Sequence, residues 1–237
     1  MGLAGAAALE SVIKLPLVPR ANRLVISRLP AMETEFSKNL LKETAVIGEI
    51  KHLTMEELEA GLDEIRRAPK DEGVLELIVR RPQVEEREIL EEAELHLQGG
   101  LVGDSWIKRP SSKTADGSPH PDMQINVMNA RVAALVAQDK SRWHLAGDQL
   151  YLDMDLSGEN LPPGTQLAIG SAVIEVTPPP HTGCKKFVAR FGLDAMKFVN
   201  SSAGRELRLR GINAKVVQPG MIRVGDVAKK LATGGIP

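Results

Sequence analysis

The sequence predicts a mostly β chain with peripheral helices, an α+β arrangement built on a β-barrel or sandwich. Three observations predict it. From Gly147 onward, short runs alternate apolar and polar residues at period two, the pattern of strands with one face on a core. Turns of proline–glycine type punctuate these runs, at Pro162-Pro163-Gly164 and at Gln218-Pro219-Gly220. Strands and helices do not alternate as they do in a doubly wound sheet, which leaves a sandwich or a closed barrel with helices laid over it.

The elements follow in chain order. The first thirty residues are rich in Ala, Leu and Val, carry Lys14, Arg20, Arg23 and Arg28, and contain one acid, Glu10. That composition loosely fits an organelle transit peptide, but Pro16, Pro19 and Pro30 interrupt any amphipathic helix, so residues 1–50 read as a poorly ordered tail. Residues 51–73 hold a capped helix and a turn. Thr54 with Glu57 three positions on forms a capping box, and Met55, Leu58, Leu62 and Ile65 make one apolar stripe that stops before Pro69. Residues 74–227 form the β domain. Val74 to Val79 is a strand closed by Pro82, and the acidic run Glu85 to Glu94 fits helix or polar-edged strand equally. Gly99 to Asp104 is a turn cluster, and Lys108 to Pro121 a long loop of Ser, Pro, Gly and Lys. Met123 to Met128 reads as a strand, with Asn129 as N-cap of a helix over Arg131 to Gln138.

Leu150, Leu152, Met154 and Leu156 then face a core while Tyr151, Asp153 and Asp155 take the outer, solvated face. Gln166 to Val176 is one strand, Asp194 to Asn200 is helical, and Ile212 to Val217 pairs with Met221 to Val224 across the Gln218-Pro219-Gly220 turn. Gly225-Asp226 ends the sheet, and residues 228–237 are a fraying C-terminal tail.

Composition excludes several function classes. With 30 Lys and Arg against 31 Asp and Glu, the chain has no charge excess that calls for nucleic acid or an acidic membrane surface. The few aromatic residues are not interleaved with basic patches, as base stacking requires. No apolar run reaches the roughly eighteen residues of a membrane-spanning helix. A single cysteine forbids an internal disulfide and a cysteine-ligated iron–sulfur cluster, and points to a reducing, cytoplasmic compartment, or an organelle if the N-terminal segment is a transit peptide. Zinc fits poorly: His52, His96, His120, His144 and His181 are scattered, with no pair at ligand spacing.

The stretch that carries chemistry is Glu175 to Phe187. Its apolar run ends in Pro178-Pro179-Pro180, which stiffens the approach to His181-Thr182-Gly183-Cys184, and Phe187, Val188 and Phe191 follow at helical spacing. A lone cysteine is most often a small buried hydrophobe. Here its neighbours are Gly183 and Lys185 instead of aliphatic residues, and it stands where a strand gives way to a helix. A helix start and nearby cations favour thiolate over thiol, so the Cys184 pKa is expected to fall. Three uses are open to such a thiolate: nucleophile with His181 as base, persulfide carrier, or ligand to a soft metal. The cations Lys185, Lys186, Arg190, Arg205, Arg208 and Arg210 could neutralise an anionic, phosphate-bearing cofactor.

Several segments together resemble the MOSC domain. They are Gly100 to Asp104 (Gly-Leu-Val-Gly-Asp), Gly158 to Leu161 (Gly-Glu-Asn-Leu), Ile169 to Thr177, His181 to Phe187, Leu207 to Gly211 and Pro219 to Asp226. The resemblance runs from about Val74 to Val227, and the order and spacing of the segments carry it. It implies a MOSC-like β-barrel of the stand-alone bacterial type. It further implies a cysteine, matched by Cys184, that binds sulfur or the molybdenum of a pterin cofactor. His181 is the candidate catalytic partner of Cys184. Asn160, Thr182, Gly183, Lys185, Lys186, Arg205 and Arg210 are the expected cofactor-binding residues. Many relatives have an arginine in the loop before the cysteine. This chain has Pro179 to Gly183 there, which leaves His181 or Lys185 to substitute. The activity implied is reductive oxygen-atom removal with an external electron donor. The other reading is a carrier that hands the molybdenum cofactor, or sulfur as a Cys184 persulfide, to a receiving enzyme. Pyridoxal phosphate is associated with the family through a separate sulfurase domain, and no lysine here is marked as a Schiff-base site.

Overall fold

In the computed structural model, residues 51–232 are described. The expectations for residues 1–50 and for the last five residues lie outside them. Thr54 caps α1 (Met55–Ala60) with the reciprocal bonds of a capping box, and α2 (Leu62–Arg66) continues beyond Gly61. The strands are β1 (Glu72–Arg80), β2 (Glu88–Leu90), β3 (Glu92–His96), β4 (Gly100–Leu101), β5 (Ile125–Asn129), β6 (Leu150–Asp153), β7 (Gln166–Ile169), β8 (Ala172–Val176), β9 (Ile212–Gln218), β10 (Gly220–Arg223) and β11 (Val227–Lys230). Three further helices are α3 (Ala130–Ala137), α4 (Lys185–Asn200) and α5 (Ser202–Glu206).

Seven strands close into a barrel in the order β11-β7-β8-β9-β5-β6-β1, with β1 pairing back to β11 through Glu72–Lys229, Gly73–Ala228 and Val74–Val227. β2 continues this sheet on β1 beyond β11, while β10, β3 and β4 form a separate three-stranded sheet. All barrel pairs are antiparallel except β5 with β6, which α3 and a 3-10 turn (Lys140–Ala146) connect. A parallel pair needs such a crossover, because a tight hairpin cannot reverse the chain twice.

Two apolar clusters result. Leu75, Ile78, Ile125, Val127, Leu150, Leu152, Leu167, Ile174 and Ile212 belong to the cluster that fills the barrel. Leu77, Val79 and Tyr151 join the other, with Leu58, Ile65, Met128, Val132, Phe187, Phe191 and Phe198 of the helices. A register shift between Leu75 and Leu77 lets β1 serve both clusters, so its run of apolar residues is covered on each face.

The structure corrects several sequence expectations. Residues 227–230 do not fray: β11 is the strand that closes the barrel, held by β1 on one side and β7 on the other. Met221 to Val224 does not pair with the strand before it, because Gly220–Arg223 lies against β3 in the small sheet. Gln166 to Val176 is a hairpin of two strands that reverses at Gly170-Ser171. The acidic run resolves into a turn followed by β2 and β3. Tyr151 is fully buried on the outer barrel face, where the helices cover it and its hydroxyl donates to the Trp143 carbonyl at 2.7 Å. Asn129 does cap α3, accepting from the Arg131 and Val132 amides.

Candidate functional site

The Cys184 loop leaves β8 at Thr177 and is pinned at both ends by asparagines. The Asn213 side chain on β9 donates to the Pro179 carbonyl at 2.9 Å and is itself held by Asn126 of β5. The Asn200 side chain at the end of α4 accepts from the Gly183 amide at 2.9 Å and donates to the Gly183 carbonyl at 3.2 Å. A Cβ at Gly183 would stand 3.0 Å from the Val199 side chain and 3.1 Å from the Asn200 side chain, so a larger residue would have to push these side chains back by a few tenths of an ångström. Cys184 follows as the exposed N-cap residue of α4. Phe187 and Phe191, one turn apart, turn into the helical core with ring centroids 4.9 Å apart. Lys186 and Arg190, also one turn apart, line the opening beside the thiol. Gly192 breaks the helical geometry after Phe191, so the turns carrying Cys184 and Lys186 form a unit separate from the rest of α4.

Cys184 opens into a cavity of about 370 Å³ whose walls include Arg81, Arg87, Arg109, Lys186, Arg190 and Arg210, against the single carboxylate of Glu85. Arg81 is the floor: it grips Asp104 with Nε at 2.8 Å and Nη2 at 3.0 Å, and Nη1 reaches Asn126 and the Gly147 carbonyl, each at 2.9 Å. Arg210 lies over the Phe187 ring at 5.1 Å and donates to both oxygens of Asp148, at 2.9 and 2.7 Å. Arg87 and Arg210 each keep a buried Nε with no partner among the described residues. Desolvation pulls the Arg87 pKa down, and the positive charges of Arg190 and Arg81 add to that. Glu85 carries its carboxyl at about 2, lowered by the hydrogen bonds from Lys186 and Arg190.

His181 lines the same cavity, with 15% of its side chain exposed. Its buried Nδ1 stands 3.3 Å from Asp148 Oδ1 without a well-aligned hydrogen bond. Burial, with Arg210 and Arg81 close by, holds its pKa well below the usual histidine value, so the ring is neutral. Asp148 is fully buried, and that burial raises its carboxyl against the pull of Arg210. A neutral ring can carry its proton on Nδ1, on the side of the carboxylate, which leaves Nε2 as the acceptor. The sequence offered no group to orient His181; Asp148 is in place to do so.

Of the residues expected from the sequence, the cavity gathers Cys184, His181, Lys186, Arg190 and Arg210. The others lie elsewhere. Asn160 is buried in the turn that follows β6, where it donates to the Lys70 and Asp155 carbonyls and accepts from Lys230 at 2.9 Å, so it ties loops together. Arg205 caps the end of α4 by donating to the Asn200 carbonyl. Thr182 and Lys185 are exposed outside the cavity walls, and Gly183 acts through its backbone bonds to Asn200. The cations that sequence reasoning missed are Arg81, Arg87 and Arg109, contributed by the β1–β2 turn and the segment after β4. They line the same cavity as the Cys184 thiol. Only their distance in sequence hid them.

Comparison with curated proteins finds no match. Among solved structures the chain is similar to the YuaD protein from Bacillus subtilis, with 15% identity and a TM-score of 0.49 over 69% of this chain and 97% of that one. It is also similar to YiiM from Escherichia coli, with 17% identity and a TM-score of 0.45 over 68% of this chain and 71% of that one. A scan against protein families matches residues 121–229 to the MOSC domain. The match starts later than the Val74 read from the sequence. It takes in β5 to β10, most of β11 and the whole Cys184 loop, whereas Arg81, Arg87 and Arg109 precede it. With six of the seven barrel strands and the cysteine loop inside that match, the chain carries a MOSC domain.

Proposed function

We propose that this MOSC protein binds the molybdenum cofactor, with Cys184 as the thiolate ligand to the metal. The observation that carries the reading is an exposed thiol opening into a cavity with six cations and one carboxylate on its walls. The donor set fits. A soft sulfur suits molybdenum, and no cluster of three or more His, Cys, Asp or Glu capable of holding a metal occurs among the described residues, so the ion would arrive on its own organic ligand. The orphaned Nε groups of Arg87 and Arg210 suit the anionic groups of such a ligand. When bound, the cofactor supplies a centre for two-electron oxygen-atom transfer.

The chain's own residues would do the rest. Arg87, Arg109, Lys186 and Arg190 attract and orient anionic groups, while Arg81 and Arg210, neutralised by Asp104 and Asp148, hold the floor rigid. His181 holds a proton on Nδ1 against Asp148 and keeps Nε2 as an acceptor for a proton exchanged in the cavity. Reductive oxygen-atom removal consumes two electrons, which an external donor must bring, and two protons. Lys186, the lysine on these walls, is exposed and ion-paired with Glu85, which gives no support to a pyridoxal phosphate site.

Molybdenum and pterin analysis of protein purified without oxygen tests the reading: near-stoichiometric metal in the parent chain and its loss in Cys184→Ala are expected. Equal loading of the two proteins sinks it. The same cationic walls would also stabilise a Cys184 persulfide, so a carrier is the second reading. Assay of N-hydroxylated substrates with a reconstituted reductase separates the two, because full loading with zero turnover identifies the carrier.

A further inference from the structure

Between β1 and β2 the chain passes Pro82 and turns at the mouth of the Cys184 cavity, with Val84 and Glu85 on its walls. Glu85 has φ of 66°, a left-handed conformation that a non-glycine residue adopts only when its surroundings hold it there. Within the turn, the Glu86 amide donates to the Gln83 carbonyl at 3.3 Å. Among the described residues, the polar ties from residues 83–86 to the body of the domain are those of the Glu85 carboxylate, to Lys186 at 2.6 Å and to Arg190. An exposed carboxylate thus fastens the turn to residues a hundred positions away, across the mouth of the site.

The charges of the cavity divide accordingly. Arg81 and Arg210 are matched by Asp104 and Asp148, both buried and fixed. Lys186 and Arg190 share Glu85, which is exposed and exchangeable. Arg87 and Arg109 face the cavity with no acidic partner among the described residues, donating to the Glu86 carbonyl and the Ser105 hydroxyl. An entering anion therefore finds one wall uncompensated and the other already holding a carboxylate.

We propose that Glu85 sets the charge specificity of this cavity: its carboxylate is an internal counter-anion on Lys186 and Arg190, which the anionic group of the ligand must displace. Exposed ion pairs are individually weak, so a doubly charged phosphate- or sulfate-like group can take over both cations, and the released turn relaxes from its left-handed residue. The inference builds on reading this cavity as the ligand site and does not depend on the metal.

Calorimetric titration of the full-length, cofactor-free chain with sulfate and with nitrate at low salt tests it. Repulsion from one carboxylate scales with ligand charge, so Glu85→Gln should tighten nitrate about threefold and sulfate about tenfold, for a separation of about 6 Å in a water-like dielectric. Lys186→Met added to Glu85→Gln should weaken sulfate again. The single cysteine offers an independent reading. Alkylation of the Cys184 thiol forms a sulfur–carbon bond, expels iodide and releases the thiol proton to solvent. The iodoacetate-to-iodoacetamide rate ratio should rise about threefold in Glu85→Gln, since only iodoacetate is charged. Failure of sulfate to bind, an equal gain for both anions, weaker binding in Glu85→Gln or an unchanged alkylation ratio each overturns the proposal. A chain that lacks molybdenum yet shows the charge-scaled gain keeps this inference and loses the cofactor reading.

Discussion

Replacing Asp148 by alanine removes the carboxylate that neutralises Arg210 beneath the cavity. Asp148 has no exposed surface and the Arg210 side chain has 7%, so the pair is shielded from bulk solvent. Two charge-assisted bonds of 2.9 and 2.7 Å disappear, and a guanidinium whose Nε already lacks a partner is left with the Ala146 carbonyl. Breaking a buried pair in this way costs about 3–5 kcal/mol, a large share of the roughly 5–15 kcal/mol that holds a domain together. Arg210→Met strands the acid instead, and the acid has an escape: burial already raises its pKa, so it can take a proton. The folded state then binds more protons than the unfolded one above the ordinary aspartate value, and stability falls as pH rises. The penalty of Arg210→Met should therefore be larger at pH 8 than at pH 5. The double variant removes both charges and should be more stable than the sum of the two losses implies, by about 2–3 kcal/mol. Urea unfolding of the four proteins measures the cycle. Losses that add to within about 0.5 kcal/mol would refute the claim that the two residues act as one buried unit.

Asn200→Ala deletes both bonds to Gly183 and should cost about 1–3 kcal/mol in urea unfolding, with faster Cys184 alkylation as its loop loosens; an unchanged rate would mean that Asn213 alone holds the loop. His181 is held below its ordinary pKa, so the unfolded state binds the extra proton and stability should decline as pH falls below about 6.5. His181→Gln should flatten that decline relative to the parent, and comparing the two cancels most of the opposite slope contributed by Asp148. Ala228 is fully buried on β11, paired with Gly73 and Ile169, and Ala228→Asp should cost upward of about 3 kcal/mol by thermal or urea unfolding. A near-neutral result there would show that the barrel does not need its last strand.

Local signals were the legible part of this molecule. Thr54 with Glu57, and Asn129 before an apolar helix, announce caps because the bonds they make span only two or three residues. Pro162-Pro163-Gly164 announces its turn for the same reason, and the Gly164 φ of 91° meets it. The exposure of Cys184 followed from its immediate neighbours, Gly183 and two lysines. What was misread depends on pairing at long range. Gln218-Pro219-Gly220 looks like a hairpin turn, yet its two strands separate because β10 finds Ala93 across the small sheet and β9 finds β5 and β8. Tyr151 looks like an outer-face residue until the helices are laid over that face.

By itself the sequence determined that this chain would be a β-rich domain, that its turns would fall at the proline–glycine steps, and that one sulfur would be presented where a strand meets a helix. Each of these rests on the period of apolar residues, on φ/ψ preferences or on contacts within a turn, which a linear pattern encodes directly. Only the tertiary structure decided that β11 closes the barrel, that Asp148 stands behind His181, and that Arg81, Arg87 and Arg109 meet Lys186, Arg190 and Arg210 around the thiol. A charge is felt through space and not along the chain, so residues about a hundred positions apart can build one electrostatic site without leaving a spacing to read.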